Sequence, residues 1–424
     1  MLKTAILAGT HSGCGKTTVM LALLQYLKSK SLEIATFKVG PDFLDPFWHQ
    51  AITGKPSYNL DTQMMGADEC CYQLYKHSQD AKVVLIEGVM GLFDGRAGVG
   101  GVGSSADLAK VLQIPVILIV DAKGMAGSIV PLVSGFCDYA KKSGFRISGI
   151  IGNRVGSEHH AQMLSDLLNN HNLPPLVAWL EKNAPELPER HLGLKRPEES
   201  EVPNFLPFFH VGEELLTIAF AEKAETKPIA VEQLQRLKGK TVAVANDAAC
   251  CFIYPANIDW LKEQGATVQF FSPLKSEPIP EHADVVWLPG GYPELYAEAL
   301  SQSKTWTSLH EFINTNKPVL AECGGAMILG KELIDIEGKT WRMAGVFSYR
   351  SVMQEKLASL GYREEANGMK GHEFHYSRRE NAENLQACFN LEKGDKGVRF
   401  KNVHASYIHW YFASAPAEMV KWLV

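Results

Sequence analysis

The chain has 424 residues, 46% hydrophobic and 21% charged, with 47 acidic against 42 basic side chains and a net charge of −5. That length predicts two domains with full cores, and the mild acidity argues against a charge-driven nucleic-acid or anionic-membrane binder. Eight cysteines without a CxxC pair or a secreted-type spacing argue against a zinc ribbon and predict a reducing, cytoplasmic setting.

In chain order, an apolar strand over residues 4–10 runs straight into glycines and then a helix over 16–30. A secretory leader would need a longer apolar core and a small-residue cleavage site. Runs such as residues 116–120 are too short to span a bilayer. The glycine segment reads Gly9-Thr10-His11-Ser12-Gly13-Cys14-Gly15-Lys16-Thr17-Thr18. Strand before and helix after is where a phosphate cradle belongs. Glycines turn backbone N–H groups toward phosphate oxygens, and the helix N-terminus adds partial positive charge. Gly13, Gly15, Lys16, Thr17 and Thr18 are therefore the expected nucleotide contacts, with the Thr17 hydroxyl as a Mg²⁺ ligand. Five residues rather than four separate Gly9 from Gly15, and Thr10 stands where the common loop has its first glycine.

Further strands are expected over 34–39, 83–89, 115–122 and 147–155, with helices over 106–112, 126–142 and 158–170. Continuous β-branched runs alternating with helices predict a parallel sheet covered on both faces. Such a sheet gathers the C-terminal ends of its strands at one edge, where ligands bind. Asp45 and Glu87 lie at such ends and are expected to serve metal or nucleotide. Asp42 and Asp94 are further candidates, although a single acid there is more often a turn or cap residue.

Residues 221–240 are polar and charged and form the expected boundary. The N-terminal domain is set at 1–225 and the C-terminal domain at 240–424. Beyond it the α/β pattern restarts, with strands over 241–246, 267–271, 284–288 and 318–321 and a helix after Pro255. The last of these strands leads into Glu322-Cys323-Gly324-Gly325. A cysteine on a tight strand-to-helix turn is exposed for attack, and a helix N-terminus is expected to favour its thiolate. Upstream, Gly290 and Gly291 in LPGGYPEL are expected to offer backbone N–H groups to a developing oxyanion. A base is also required, and spacing alone leaves His372, His375, His404 and His409 open.

Together GTHSGCGKTT, KVGPDFLDP, IEGVMGLFDG, LPERHLGL, LPGGYPEL, AECGGAMIL, GHEFHYS and HASYIHWYF closely resemble the cobyrinic acid a,c-diamide synthase family, in order from Gly9 to Phe412. The resemblance implies an α/β architecture of two parts. The N-terminal part is a dethiobiotin-synthetase-like P-loop parallel-sheet domain, and the C-terminal part a class I glutamine amidotransferase-like α/β domain. ATP with Mg²⁺ activates a carboxylate as its acyl phosphate, and glutamine-derived ammonia, shielded from water, displaces the phosphate. The a and c acetates of a corrin-type macrocycle become amides. The implied partners are L-glutamine and a tetrapyrrole polycarboxylate, with no nucleic acid and no membrane. Oligomeric state, a homo-oligomer included, stays open.

Cys323 matches the family's nucleophile and His409 its partner. Tyr411 stands two residues on, where most class I amidotransferases carry a Glu, as in the cobyrinic and cobyric acid synthase branch. The segment Asp247-Ala248-Ala249-Cys250-Cys251-Phe252-Ile253-Tyr254-Pro255 departs from the family's usual acidic, Phe-rich stretch, and His409-Trp410-Tyr411-Phe412 stands for its HLHF. Hydrogenobyrinic acid and nickel-sirohydrochlorin are alternative ring substrates. A partitioning-type switch ATPase would carry a lysine at His11 and leave Cys323 unexplained.

Overall fold

The β-branched runs of the N-terminal half lack polar alternation, and the computed structural model shows why. Their strands lie inside a sheet that is buried on both faces. Residues 2–96, 98–190, 193–212, 214–223 and 235–424 are described. His191 and Leu192 of the LPERHLGL segment, and 224–234 of the expected boundary with position 225 that ends the first expected domain, lie outside them. The chain divides into two compact units, Met1–Ile229 and Ala230–Val424.

The first unit contains β1 (Leu2–Gly9), α1 (Lys16–Ser29), β2 (Ile34–Val39), α2 (Leu44–Thr53), β3 (Tyr58–Leu60), β4 (Val83–Gly91), β5 (Val116–Asp121), β6 (Ile147–Val155), β7 (Leu176–Glu181), β8 (Phe209–Val211) and β9 (Ala221–Lys223). The strand order is β8-β7-β6-β5-β1-β4-β2-β3. All pairings along β7 to β3 are parallel; β8 joins antiparallel at one edge, and β9 pairs antiparallel with β1. The pairing of β9 explains why β1 starts at Leu2 rather than Thr4. The helix expected from residue 126 begins at Ile129. Pro131 lacks an N–H and is tolerated only within a first turn, which places the helix start beside it. Register sets Leu7 and Lys38 on either side of Glu87, so a buried lysine and a buried glutamate are neighbours across β2 and β4.

The second unit contains β10 (Thr241–Ala245), β11 (Thr267–Phe271), β12 (Val285–Leu288), β13 (Val319–Glu322), α3 (Gly324–Leu329), β14 (Ser359–Glu364), β15 (Lys370–His375), β16 (Val398–Phe400), β17 (Val403–Ser406) and β18 (Ile408–Tyr411). Its main sheet runs β11-β10-β12-β13-β17-β16, parallel up to the antiparallel edge strand β16. A smaller antiparallel sheet, β14-β15-β18, was not foreseen. Its short strands carry charged and aromatic residues without a clean two-residue period, which is the signal a strand reading depends on. Among the described residues no helix is long and apolar enough to cross a membrane, and all eight cysteines are free thiols.

Candidate active sites

At the end of β1 the chain turns through Gly13 (φ 81°) and Gly15 (φ 90°), the latter capping α1. Both sit in the left-handed region that suits glycine. A side chain at Gly15 would also collide with the carboxamide of Asn153, which donates to the Cys14 carbonyl at 2.9 Å. Asn153, from the end of β6, thus pins the loop from below. Lys16 lies along the loop with Nζ 3.4 Å from the His11 carbonyl, and Thr18 follows Thr17 in the first turn of α1, half-buried.

The Thr17 hydroxyl reaches Glu87 Oε1 at 2.8 Å and Asp45 Oδ1 at 3.3 Å. Lys38 lies among the same acids, 2.5 Å from Asp45 Oδ2 and 3.2 Å from Glu87 Oε1, and donates to the Gly88 carbonyl at 3.0 Å. His49 completes the group: Nε2 is 2.7 Å from Glu87 Oε2 and Nδ1 is 2.9 Å from Ser57 Oγ. Lys38, Asp45, His49 and Glu87 are all buried. Burial opposes the Lys38 charge, but Asp45, Glu87 and Asp42 outweigh it and hold the ammonium protonated. Burial, then the Asp42 and Glu87 charges, push the Asp45 carboxyl well above the usual carboxylate range, against Lys38. Burial works against Glu87 too, yet Lys38, His49 and Thr17 hold its carboxyl well below that range. The group is a balanced charge cluster, since a buried charge persists only with a partner.

Asp42, two residues before α2, accepts from Leu44 N at 2.7 Å and Asp45 N at 3.2 Å. The exposed Asp94 accepts from Gly91 N at 2.8 Å and so closes a turn. Asp45, Glu87 and Thr17 therefore meet, whereas Asp42 and Asp94 are bonded to backbone. Lys38, His49 and Asn153 were missed as members of this site. Two of them left a trace in the sequence. Lys38 is a lone charge in an otherwise apolar strand, and His49 lies four residues after Asp45, on the same face of α2.

Among the described residues no group of three or more His, Cys, Asp or Glu forms a metal cluster. Mg²⁺ does not require one, because it takes one or two carboxylates plus phosphate oxygens and water. The oxygens of Thr17, Asp45 and Glu87 fit that donor set.

In the second unit β13 ends in Glu322 and hands Cys323 to the turn before α3. Cys323 adopts φ 44°, ψ −107°, a conformation that a non-glycine residue keeps only when its surroundings impose it. Two bonds impose it here: Cys323 N donates to the Ser406 carbonyl at 2.7 Å, and its own carbonyl accepts from Met327 N at 3.0 Å. Gly324 and Gly325 follow because side chains there would strike Gly291 and Pro293, and the Leu288 carbonyl, respectively.

Gly290 and Gly291 approach from the end of β12. The Gly290 carbonyl accepts from Phe252 N at 2.9 Å, which fixes the 290–291 peptide plane. In a trans peptide the Gly291 N–H then points opposite to that carbonyl. A side chain at Gly290 would run into the His409 ring, and one at Gly291 into the Ala249 carbonyl. The unusual Asp247–Cys251 stretch thus has a packing role behind the paired glycines. Asp247 organises it by accepting from Ala249 N, Leu274 N and Ser272 Oγ, each at 2.9 Å, and from Cys250 N at 3.2 Å.

The four candidate histidines separate in space. His409 lies against Gly290. His372 stacks on His409, with centroids 4.9 Å apart. His375 stacks on Tyr407 at 3.8 Å and bonds the Ser377 carbonyl at 2.7 Å. His404 packs toward Phe389, and burial pushes its pKa down to about 4. Burial, then His372 and His375, hold His409 well below the usual imidazole range, so it rests neutral. The Cys323 thiol departs from expectation. Burial first, then Glu294, push it far above the ordinary thiol value. The six-residue α3 is a weak counterweight, so the resting group is a thiol rather than a thiolate. Glu322, buried beneath and accepting from Trp410 N at 3.1 Å, is likewise pushed up, to about 8, by burial.

Two family models match the chain: a CobQ/CobB/MinD/ParA nucleotide binding domain over residues 5–193 and a CobB/CobQ-like glutamine amidotransferase domain over residues 241–417. The chain is 39% identical to the cobyrinate a,c-diamide synthase of Herminiimonas arsenicoxydans, covering 97% of this chain and 94% of that one. It is 37% identical to proteins of the same name from Listeria innocua serovar 6a and Caldanaerobacter subterraneus subsp. tengcongensis. The first match covers 98% of both chains, the second 96% of this chain and 95% of the other.

Proposed function

The chain belongs to the cobyrinate a,c-diamide synthase family, and from that premise we propose that it amidates the a and c acetates of a cobyrinic-acid-type corrin. ATP supplies the activation and glutamine the nitrogen. The observation that supports the reading is that one chain carries two separate groups of residues with these two chemistries. One joins a phosphate loop to Thr17, Asp45 and Glu87. The other sets a strained cysteine elbow, whose next residue packs on Gly291, beside a glycine pair that lies against a neutral histidine.

At the second constellation, the Cys323 thiol gives its proton to His409 as sulfur bonds the glutamine amide carbon. The carbonyl electrons move onto oxygen, facing the Gly290–Gly291 backbone. His409 then passes the proton to the departing nitrogen, the C–N bond breaks and ammonia leaves. Water attacks the remaining thioester and frees glutamate. A protonated resting thiol suits this order, because proton loss is coupled to attack on bound glutamine.

At the first constellation, a substrate carboxylate oxygen attacks the γ-phosphorus of ATP and ADP leaves, forming an acyl phosphate. Gly13 and Gly15 turn the loop backbone toward the phosphates. Lys16 follows the transferring group, and Thr18 supports the first turn of α1. Thr17, Asp45 and Glu87 would hold Mg²⁺, which supplies neutralisation of phosphate charge. Lys38 keeps those carboxylates compensated within the buried cluster. Ammonia then adds to the acyl carbon and inorganic phosphate departs. Activation is needed because a carboxylate is a poor electrophile and hydroxide a poor leaving group. Eight free thiols agree with work in a reducing cytoplasm.

The test supplies the purified chain with Mg·ATP, glutamine and, separately, cobyrinic, hydrogenobyrinic and nickel-sirohydrochlorin acids. Mass spectrometry follows the exchange of OH for NH₂. Two successive exchanges on the cobyrinic acid ring, each dependent on ATP, are expected. Product on another ring alone would reassign the substrate.

A further inference from the structure

The position two residues after His409 holds Tyr411, so the group that orients His409 is not an acid at that place. The register of the small sheet supplies a different arrangement. β15 and β18 run antiparallel with His372 directly opposite His409. Directly opposed residues project to the same face, and here the two imidazoles lie nearly parallel, 17° apart in plane and 4.9 Å between centroids. Tyr254 holds the outer ring: its hydroxyl and His372 Nδ1 are hydrogen-bonded at 3.0 Å. The Tyr254 ring also meets Tyr411 edge-on, at 6.2 Å and 71°. The tyrosine in the acid's usual position is thus tied to the same chain of contacts. The Gly290 backbone lies against the edge of His409 at Cε1, and Phe252 is 6.1 Å away.

In a hydrolytic triad the acid keeps the imidazole in one orientation and stabilises the imidazolium. A stacked ring can do the first of these, since its π-face fixes the plane of its neighbour. We propose that His372, held by Tyr254, is the positioning residue for His409, setting the plane and direction in which His409 meets the Cys323 proton. This rests on the roles given above to Cys323 and His409. Burial pushes the His372 pKa down to about 3, so the supporting ring is neutral when it stacks on His409.

The test measures glutamate release from glutamine and ammonia-dependent corrin amidation with the full chain and its His372→Ala, His372→Phe, Tyr254→Phe and Cys323→Ala variants. His372→Ala should lower kcat for glutamate release about 10²-fold, the lower end of what a positioned acid–base group contributes. Its KM for glutamine should stay within about threefold, because the interaction is made with the base and not with bound substrate. Ammonia-dependent amidation should be unchanged. His372→Phe keeps a ring face without either nitrogen and should recover to within about tenfold of the parent. Tyr254→Phe should lie between the parent and His372→Ala.

The proposal is overturned if His372→Ala keeps the parent's kcat, if Phe is no better than Ala, or if KM rises with kcat intact. Loss of both activities in both His372 variants would make the residue structural and overturn it equally. Glutamate release surviving in Cys323→Ala would instead sink the underlying reading of the site.

Discussion

At the phosphate loop Lys38, Asp45, His49 and Glu87 are buried against one another, with polar atoms 2.5 to 3.2 Å apart. Around Cys323 burial works in the same direction but meets less opposing charge. It holds Cys323 and Glu322 protonated and His372 and His409 neutral. On the proposed reading the first constellation takes ligands that arrive charged, and its lysine balances the carboxylates that a cation would engage. On the same reading the second takes glutamine, whose amide is neutral, so charge appears only as the reaction proceeds. Low-dielectric surroundings are costly to charges at rest and make each aligned dipole more effective once charge develops.

The largest expected effect that tests this contrast comes from Lys16→Ala. Removing the cation that follows the transferring phosphoryl group should lower amidation by about 10³-fold or more, with glutamine or with ammonia as nitrogen source. Steady-state product assays with both sources check it. A defect confined to glutamine would place Lys16 outside the phosphoryl step.

Gly290→Ala acts at the other site. Its Cβ would run into the His409 ring, and misplacing a proton carrier by about 1 Å costs about 10²-fold. Glutamate release should fall by that factor while ammonia-dependent amidation persists. Equal loss of both would show that the glycine serves folding alone.

The smallest effect is thermodynamic. Glu322 ionises near 4.5 in the unfolded chain and near 8 in the fold, so between those values the native state holds the extra proton. Stability from this group therefore falls as pH rises through that window, by at most about 1.4 kcal/mol per pH unit. Glu322→Gln still accepts from Trp410 N and should flatten the decline. Urea midpoints measured across the window check this; an unchanged slope would assign the decline elsewhere.

The parallel sheets were legible because β2, β5 and β6 are rich in β-branched and apolar residues without a polar alternation, and burial on both faces is what such runs require. The turns at Gly15 and Cys323 were legible as glycines flanking a reactive side chain. The cluster around Glu87 was only half legible. Asp45 stood at a strand end, but the pairing of Lys38 with Glu87 is a fact of register between β2 and β4. The arrangement around His409 was less visible still. It depends on β14, β15 and β18, short strands without a clean period, and on His372 falling opposite His409. The protonation of Cys323 could not be read from a helix that follows it, because the thiol's pKa is set by how deeply the elbow is buried.

The claim that joins the two constellations is that ammonia made at Cys323 is the nitrogen used at the phosphate loop. Cys323→Ala tests it most directly, in parallel assays of ATP-dependent corrin amidation with glutamine and with ammonium salt. The account predicts that glutamine-dependent product falls by about 10³-fold or more while ammonia-dependent product stays within about threefold of the parent. Glutamine-dependent amidation persisting in the variant, or ammonia failing to support a folded variant, would contradict it.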